Sequence, residues 1–303
     1  MSANTLGADV NEIHLAYLLN GNSYTDTVSQ QQIERRTQSL TEEIVEWQKG
    51  RAEAMYNSFL SFLNRKGYGS PTAAYWTARP GFSFSDIIGL DVNQRLNPTD
   101  VLVTLSGTPS FYGISAKSTV TGQAGFKNPG VGTIDKYLGS DLRGIARQYI
   151  DQIIQRYDLP TAANARKAYL NGNPGTKRSV MDNYGSPCLS AMRDSYLQIV
   201  NNLPTQQKID FFATEWLNED PNILRLPYVK ITGSGTGPSY SASLYDPLSS
   251  SKVRHLITGP IVLENVGVDA VGVRANREKI FKMRFKFEST QLASSLKMSG
   301  DPW

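Results

Sequence analysis

"TDVLVTLSGTPSFYGISAKS", residues 99–118, is the stretch on which the reading of this chain turns. Val101, Leu102, Val103 and Leu105 form a short apolar run, Gly-Thr-Pro-Ser turns the chain, and Phe111, Tyr112, Gly113 and Ile114 open a second run. The pattern predicts a β-hairpin. Asp100 stands at the start of one strand and Lys117 late in its partner, so a hairpin register carries both to the same end of the pair. Strand side chains alternate between faces, so Ser115 and Lys117 share one. A carboxylate beside a lysine on adjacent strands is what metal-dependent phosphodiester cleavage requires: an oxygen ligand for Mg²⁺, and a cation that orients water or offsets developing charge. The same two residues also read as an ordinary cross-strand ion pair at a surface.

Composition narrows the chemistry. The chain has 303 residues, 40% hydrophobic and 19% charged, which suits one large globular domain or two small ones. A single cysteine, Cys188, excludes an internal disulfide framework and a cysteine-rich zinc site, and with His14 and His255 as the only histidines any catalytic metal is expected to be hard and oxygen-bound. The opening MSANTLGADVNEIH lacks a basic segment followed by an apolar one, and no run approaches the length of a membrane span. A soluble cytoplasmic protein with no membrane partner is expected. Its net charge of +4 suits a polyanion partner.

Along the chain, Asp9 reads as the cap of a first helix, NEIHLAYLLNG, closed by Gly21. Helical spacing of Ile33, Leu40, Ile44, Trp47, Met55, Phe59 and Phe62 predicts a long second helix over about 29–66, an exposed arm or a helical hairpin. Strand-like pieces follow at AAYWTA and DIIGLDV, then the hairpin, then the glycine-rich TGQAGFKNPGVGT. A helix is expected over DKYLGSDLRGIARQYIDQIIQRYDL and mostly helix over 161–222, with loops at NGNPGTKR and NYGSP. From Leu224 onward YVKIT, SYSASLY, GPIVLENV, AVGVRA and KIFKMRFKFES read as strands. The expected division is an α/β domain over 1–222 and a β-rich region over 223–303, either separate or continuous with the first sheet.

An acid on a first helix, an Asp at a strand start, a spaced Lys on the next strand and then a helix together resemble the PD-(D/E)xK nuclease superfamily, the restriction-endonuclease-like fold. The residues that carry the likeness are Glu12 in GADVNEIHLAYLL, Asp100 in NPTDVLV, and Ser115 and Lys117 in YGISAKS, across residues 7–157 with 29–66 as an insertion. The resemblance implies a mixed β-sheet flanked by helices, Mg²⁺ or Mn²⁺ held by Asp100 and a second acid, and Lys117 placing the attacking water. Ser115 stands where the family usually has Asp or Glu, and a hydroxyl is a poorer Mg²⁺ ligand than a carboxylate. Glu12 is the replacement acid: Leu15, Ala16 and Leu19 share its helix face, and a buried acid needs a partner or a metal. A glutamate near a helix start is also favoured by the dipole alone. Asp86 and Asp91 flank strand-like residues and equally mark turns.

For DNA contacts, alternation in KIFKMRFKF sets Lys282, Arg284 and Lys286 on one strand face, a phosphate-binding strip or a plain solvated face. Lys127 in the glycine-rich loop, and Lys136 and Arg143 in the helix after it, extend the candidate surface. The loop is not a Walker loop, GISAKS is no nucleophile elbow, and SSLK at 294–297 lacks the motifs that accompany a Ser-x-x-Lys hydrolase. Cys188 reads as a small buried hydrophobe. The expected function is therefore a Mg²⁺-dependent deoxyribonuclease of a bacterial or phage-infected cell, acting in restriction, repair or phage DNA processing. A homodimer would suit a two-fold DNA site. The alternatives are a catalytically degenerate nuclease fold that binds DNA without cutting it and a structural protein.

Overall fold

The first signals along the chain are helical, and a computed structural model shows three helices there: α1 (Ala3–Leu19), α2 (Thr27–Gln38) and α3 (Glu42–Lys66). The structure describes residues 3–93, 97–120, 126–219, 225–287 and 296–303. Helix α1 starts before the expected cap, and Asp9 instead lies inside it, paired with Arg36 of α2 at 2.5 Å. The single helix expected over 29–66 is interrupted at Ser39–Thr41. Thr41 accepts a hydrogen bond from the Ile44 N–H and opens a new helix, with Glu42 and Glu43 in the first turn where the helix dipole favours acids. Helix α3 is no exposed arm: Met55, Phe59, Phe62 and Leu63 are buried against the sheet. Burying each such side chain is worth about 1.5–3 kcal/mol, which holds the helix down.

Strands β1 (Pro71–Trp76), β2 (Val101–Leu105), β3 (Phe111–Thr119), β4 (Tyr228–Ser234) and β5 (Ser241–Tyr245) form a mixed five-stranded sheet in that order. The predicted hairpin is β2 and β3, antiparallel, with Val101 opposite Ile114. Only β3 and β4 run parallel, because the chain leaves the sheet after β3 and re-enters it at β4 in the same direction. Val101, Val103, Tyr112, Ile114, Ala116 and Ile231 pack on the face that α1 and α3 cover, while Leu102 faces the other way with Phe84 and Leu226. DIIGLDV, expected as strand, is helical at its start: α4 (Phe84–Ile88) begins where Ser83 accepts a hydrogen bond from the Asp86 N–H and ends at Gly89 in the left-handed region, φ 67°.

The remaining helices are α5 (Val131–Leu138), α6 (Leu142–Tyr157), α7 (Ala163–Gly172), α8 (Pro174–Val180), α9 (Ser186–Asn201), α10 (Thr205–Phe211) and α11 (Lys252–Thr258). The helix expected over 135–159 is α5 and α6, split where Gly139 takes φ 63° and Asp141 caps the second piece. The loop expected at NGNPGTKR is largely α8, with Pro174 at its first turn, where the missing N–H costs nothing. NYGSP belongs to a widened π turn, Met181–Gly185, that runs straight into α9. Strands β6 (Ile261–Val266), β7 (Ala270–Ala275), β8 (Glu278–Phe287) and β9 (Leu296–Asp301) form a separate antiparallel sheet.

The chain divides into two compact units, Met1–Ala124 with Asn218–Ser250, and Gly125–Leu217 with Ser251–Trp303. That division runs differently from the one expected near residue 222. The two C-terminal alternatives each hold in part, since β4 and β5 extend the first sheet and β6 to β9 make their own. No helix among the described residues is long and apolar enough to cross a membrane.

Candidate active site

Asp100 is placed by the residues just before it. Asn97 and Thr99 are buried, the Asn97 amide donates to the Leu226 carbonyl oxygen at 2.9 Å, and the Thr99 hydroxyl donates back to Asn97 Oδ1 at 2.5 Å. Thr99 lies so close over Gly113 that a Cβ there would collide with Thr99 Oγ1, so the second strand of the hairpin must carry glycine at that point. The backbone of Asp100 is tied on both sides, its N–H to the Ile114 carbonyl at 2.8 Å and its carbonyl to the Thr77 N–H at 3.0 Å. The chain thus delivers the carboxylate at the strand end in one orientation.

That carboxylate meets β3. Its Oδ2 accepts from Lys117 Nζ at 2.9 Å and from the Ala116 N–H at 2.9 Å, with Ser115 Oγ at 3.5 Å, the limit of hydrogen bonding. All three donors converge on one oxygen. Oδ1 makes no hydrogen bond to the described residues. Burial alone would pull the Lys117 ammonium below its usual value, but the Asp100 charge, the hydrogen bond and the Glu12 charge together outweigh it and raise its pKa. Lys117 therefore keeps its charge at neutral pH.

Glu12 approaches from α1. Its Oε2 accepts from the indole N–H of Trp76 at 3.0 Å, and Trp76 lies opposite Val101, the residue after Asp100. Burial, then repulsion from Asp100, raises its pKa to about 8, with the Trp76 hydrogen bond and Lys117 pulling the other way. Glu12 is thus protonated at neutral pH in the absence of an added cation. Glu12, Asp100, Ser115 and Lys117 form one cluster at one end of the five-stranded sheet.

Lys230 of β4 joins this end of the sheet without any signal in the local sequence. It stands in register beside Ser115, and Thr232 beside Lys117, so the pleat turns all four to one face. Alternation in YVKIT pairs Lys230 with Thr232, but which strand they neighbour depends on a long parallel connection that local pattern does not reveal.

The expected DNA contacts are a different case. Lys127, Lys136, Arg143, Lys282, Arg284 and Lys286 all belong to the other compact unit. Lys127 pairs with buried Glu215 at 3.3 Å, Arg143 is exposed and pairs with buried Asp135 at 3.2 Å, and Lys136 is exposed. On β8 the alternation holds: Phe281, Met283, Phe285 and Phe287 are buried and the three cations lie on the opposite face. Arg284 has Asp269 at 3.7 Å, and the Trp303 ring lies over Gly272, whose register partner is Lys282. Asp86 is exposed on α4, and Asp91 lines a shallow pocket beside Phe82 and Phe84. Gly122 and Gly125 of the glycine-rich loop, and the SS of SSLK, lie outside the described residues.

Compared with known protein families, curated proteins and solved structures, the chain matches none. Among the described residues no three His, Cys, Asp or Glu side chains gather to hold a metal ion. The cluster offers two carboxylates and a hydroxyl. Two observations fit a hard divalent cation there. Among the described residues Asp100 Oδ1 and Glu12 Oε1 accept no hydrogen bond, and the two acids repel each other even with the Lys117 ammonium beside them.

Proposed function

We propose that this chain is a Mg²⁺- or Mn²⁺-dependent deoxyribonuclease of PD-(D/E)xK type, hydrolysing DNA phosphodiester bonds. The observation that carries the reading is the approach of Lys117 Nζ to Asp100 Oδ2, 2.9 Å apart, with the buried Glu12 carboxyl close enough for the Asp100 charge to raise its pKa. A surface Asp–Lys pair would be worth about 0–1 kcal/mol and would need no second acid. Here the acids crowd each other at a cost that a bound cation removes. Asp100 and Glu12 would hold Mg²⁺, whose chemistry when bound would be polarisation of the phosphodiester and neutralisation of charge on the leaving oxygen.

The chain's own groups do the rest. Asp100 holds the Lys117 ammonium at the strand end, where its remaining donors can orient a water for in-line attack. Trp76 fixes Glu12 through its indole N–H, so the second carboxyl keeps one orientation. The buried Ser115 hydroxyl supplies a neutral oxygen where the superfamily usually has an acid. That substitution favours a second reading, a DNA-binding protein of degenerate nuclease type, since one acid fewer means weaker Mg²⁺ binding. Incubating the protein with supercoiled, linear and single-stranded DNA, with Mg²⁺, Mn²⁺ or EDTA in parallel, separates the two. Metal-dependent loss of intact DNA supports the nuclease; relaxed circles would make it an endonuclease, and loss from ends alone an exonuclease. DNA that is bound but stays intact with either metal supports the degenerate reading.

A further inference from the structure

Arg51, midway along α3, is 3% exposed, and its guanidinium is held only by neutral acceptors. Nε donates to the Gly235 carbonyl oxygen at 2.7 Å and Nη1 to Ser118 Oγ at 2.9 Å. Ser118 donates its own hydroxyl proton to Gln48 Oε1 at 2.6 Å, which turns the serine lone pairs toward the arginine. Among the described residues, buried Nη2 has no acceptor and no carboxylate forms an ion pair with this side chain. An isolated buried charge is costly, and a buried guanidinium with an idle N–H group lacks an anion.

Arg51 lines a pocket of about 420 Å³ whose other walls include Ala8, Ile44, Trp47, Gln48, Ser118 and Val120. Its lining combines a cationic and polar part with an apolar, aromatic one. Helix α1 leads from this pocket to the acid and lysine cluster: Ala8 lies one helical turn before Glu12, a separation of about 5–6 Å, and Ser118 is the chain neighbour of Lys117 on β3 but on the opposite face of the strand.

The geometry points to a nucleotide subsite: the pocket takes one nucleotide of the DNA strand next to the bond to be cut, its phosphate at the Arg51 wall and its base against Trp47. This rests on the nuclease reading for the strand to which the nucleotide belongs, and on the pocket alone for the nucleotide. A guanidinium matches phosphate in charge and in fork geometry, and an indole face accepts any base. Inorganic phosphate would satisfy Arg51 but leave most of the volume and the Trp47 face unused.

The test is a tryptophan-fluorescence titration of the full chain in EDTA with thymidine 5′-monophosphate, with thymidine and inorganic phosphate as parallel probes. The monophosphate should quench saturably, bind at least about tenfold more tightly than either probe alone, and lose the quench in Trp47→Phe. Arg51→Gln should weaken the monophosphate at least about tenfold; if that variant does not fold, the comparison of monophosphate with thymidine in the wild type decides the same point. No saturable quench, a quench that survives Trp47→Phe, or equal affinity for monophosphate and thymidine would overturn the subsite, and phosphate matching the monophosphate would remove the base half of it. Because EDTA removes any cleavage, nucleotide binding by a protein that never cuts DNA keeps the subsite and ends the nuclease reading. Cleavage without nucleotide binding does the reverse.

Discussion

Two strands in this protein present basic side chains on one face, a single lysine on β3 and three cations on β8, and they differ in what surrounds the charge. On β3, Lys117 shares Asp100 Oδ2 with a backbone N–H, and a second acid from α1 is close enough to have its pKa moved. On β8, Lys282, Arg284 and Lys286 stand along the strand, and the closest acid to any of them that forms an ion pair is Asp269, at 3.7 Å from Arg284. The strand with fewer cations has the stronger coupling. Charges that converge from separate elements perturb one another and suit bond-breaking, whereas charges spaced along one strand suit at most a diffuse grip on a polyanion.

Disarming the β3 cluster should have by far the greatest consequence. Asp100→Asn, Glu12→Gln and Lys117→Ala should each lower DNA cleavage by about 10³-fold or more, the scale expected when a metal ligand or a charge aimed at the reacting group is removed. DNA binding, measured in Ca²⁺ or EDTA, should change little. Ser115→Ala should cost far less, and Ser115→Asp should tighten Mg²⁺ binding by adding a ligand, at some expense of stability because that site is 1% exposed and already faces Asp100. Cleavage that persists in both carboxylate variants would return Asp100 and Lys117 to the rank of a plain ion pair.

A smaller effect follows from the Glu12 proton. Its pKa rises from 4.5 in the unfolded chain to about 8 in the fold, so the unfolded state binds fewer protons across that window and stability falls as pH rises from about 4.5 to 8. Glu12→Gln, a mimic of the protonated acid, should flatten this slope in denaturant unfolding followed from pH 5 to 9. Mg²⁺ binding must expel the proton, so affinity should drop by up to about tenfold per pH unit below 8, and calorimetry in buffers of different ionisation enthalpy should register a released proton. Metal affinity that does not vary between pH 6 and 8 would take Glu12 out of the cation site.

Much of this was legible in the residue order because it is local. The hairpin needed only the apolar runs on either side of Gly-Thr-Pro-Ser, and alternation alone then placed Ser115 with Lys117. Glu12 was visible through the helical spacing of Leu15, Ala16 and Leu19. What stayed hidden is non-local: the Trp76 N–H on Glu12, the Asn97 amide on the Leu226 carbonyl, Lys230 beside Ser115, and buried Arg51 under Ser118 all join segments far apart in sequence. Elsewhere a short-range rule won over the apolar pattern. Ser83 and Gly89 bracket α4 with cap and stop, which makes a helix of residues whose composition reads as strand.

The slightest change should come from the β8 face. If β8 grips DNA at all, it does so by neutralising phosphates, so replacing Lys282, Arg284 and Lys286 together by alanine should weaken binding evenly across sequences. It should also flatten the dependence of log affinity on log salt by about one unit for each phosphate no longer neutralised. The strand itself should survive, because Phe281, Met283, Phe285 and Phe287, which hold it to the core, are untouched and buried. Trp303 over Gly272 and Asp269 near Arg284 already occupy part of this face, so the change in slope should fall below the full three units that three free cations would give. Titrations of one duplex between about 50 and 200 mM salt measure it. An unchanged slope would make this a solvated surface with no part in binding.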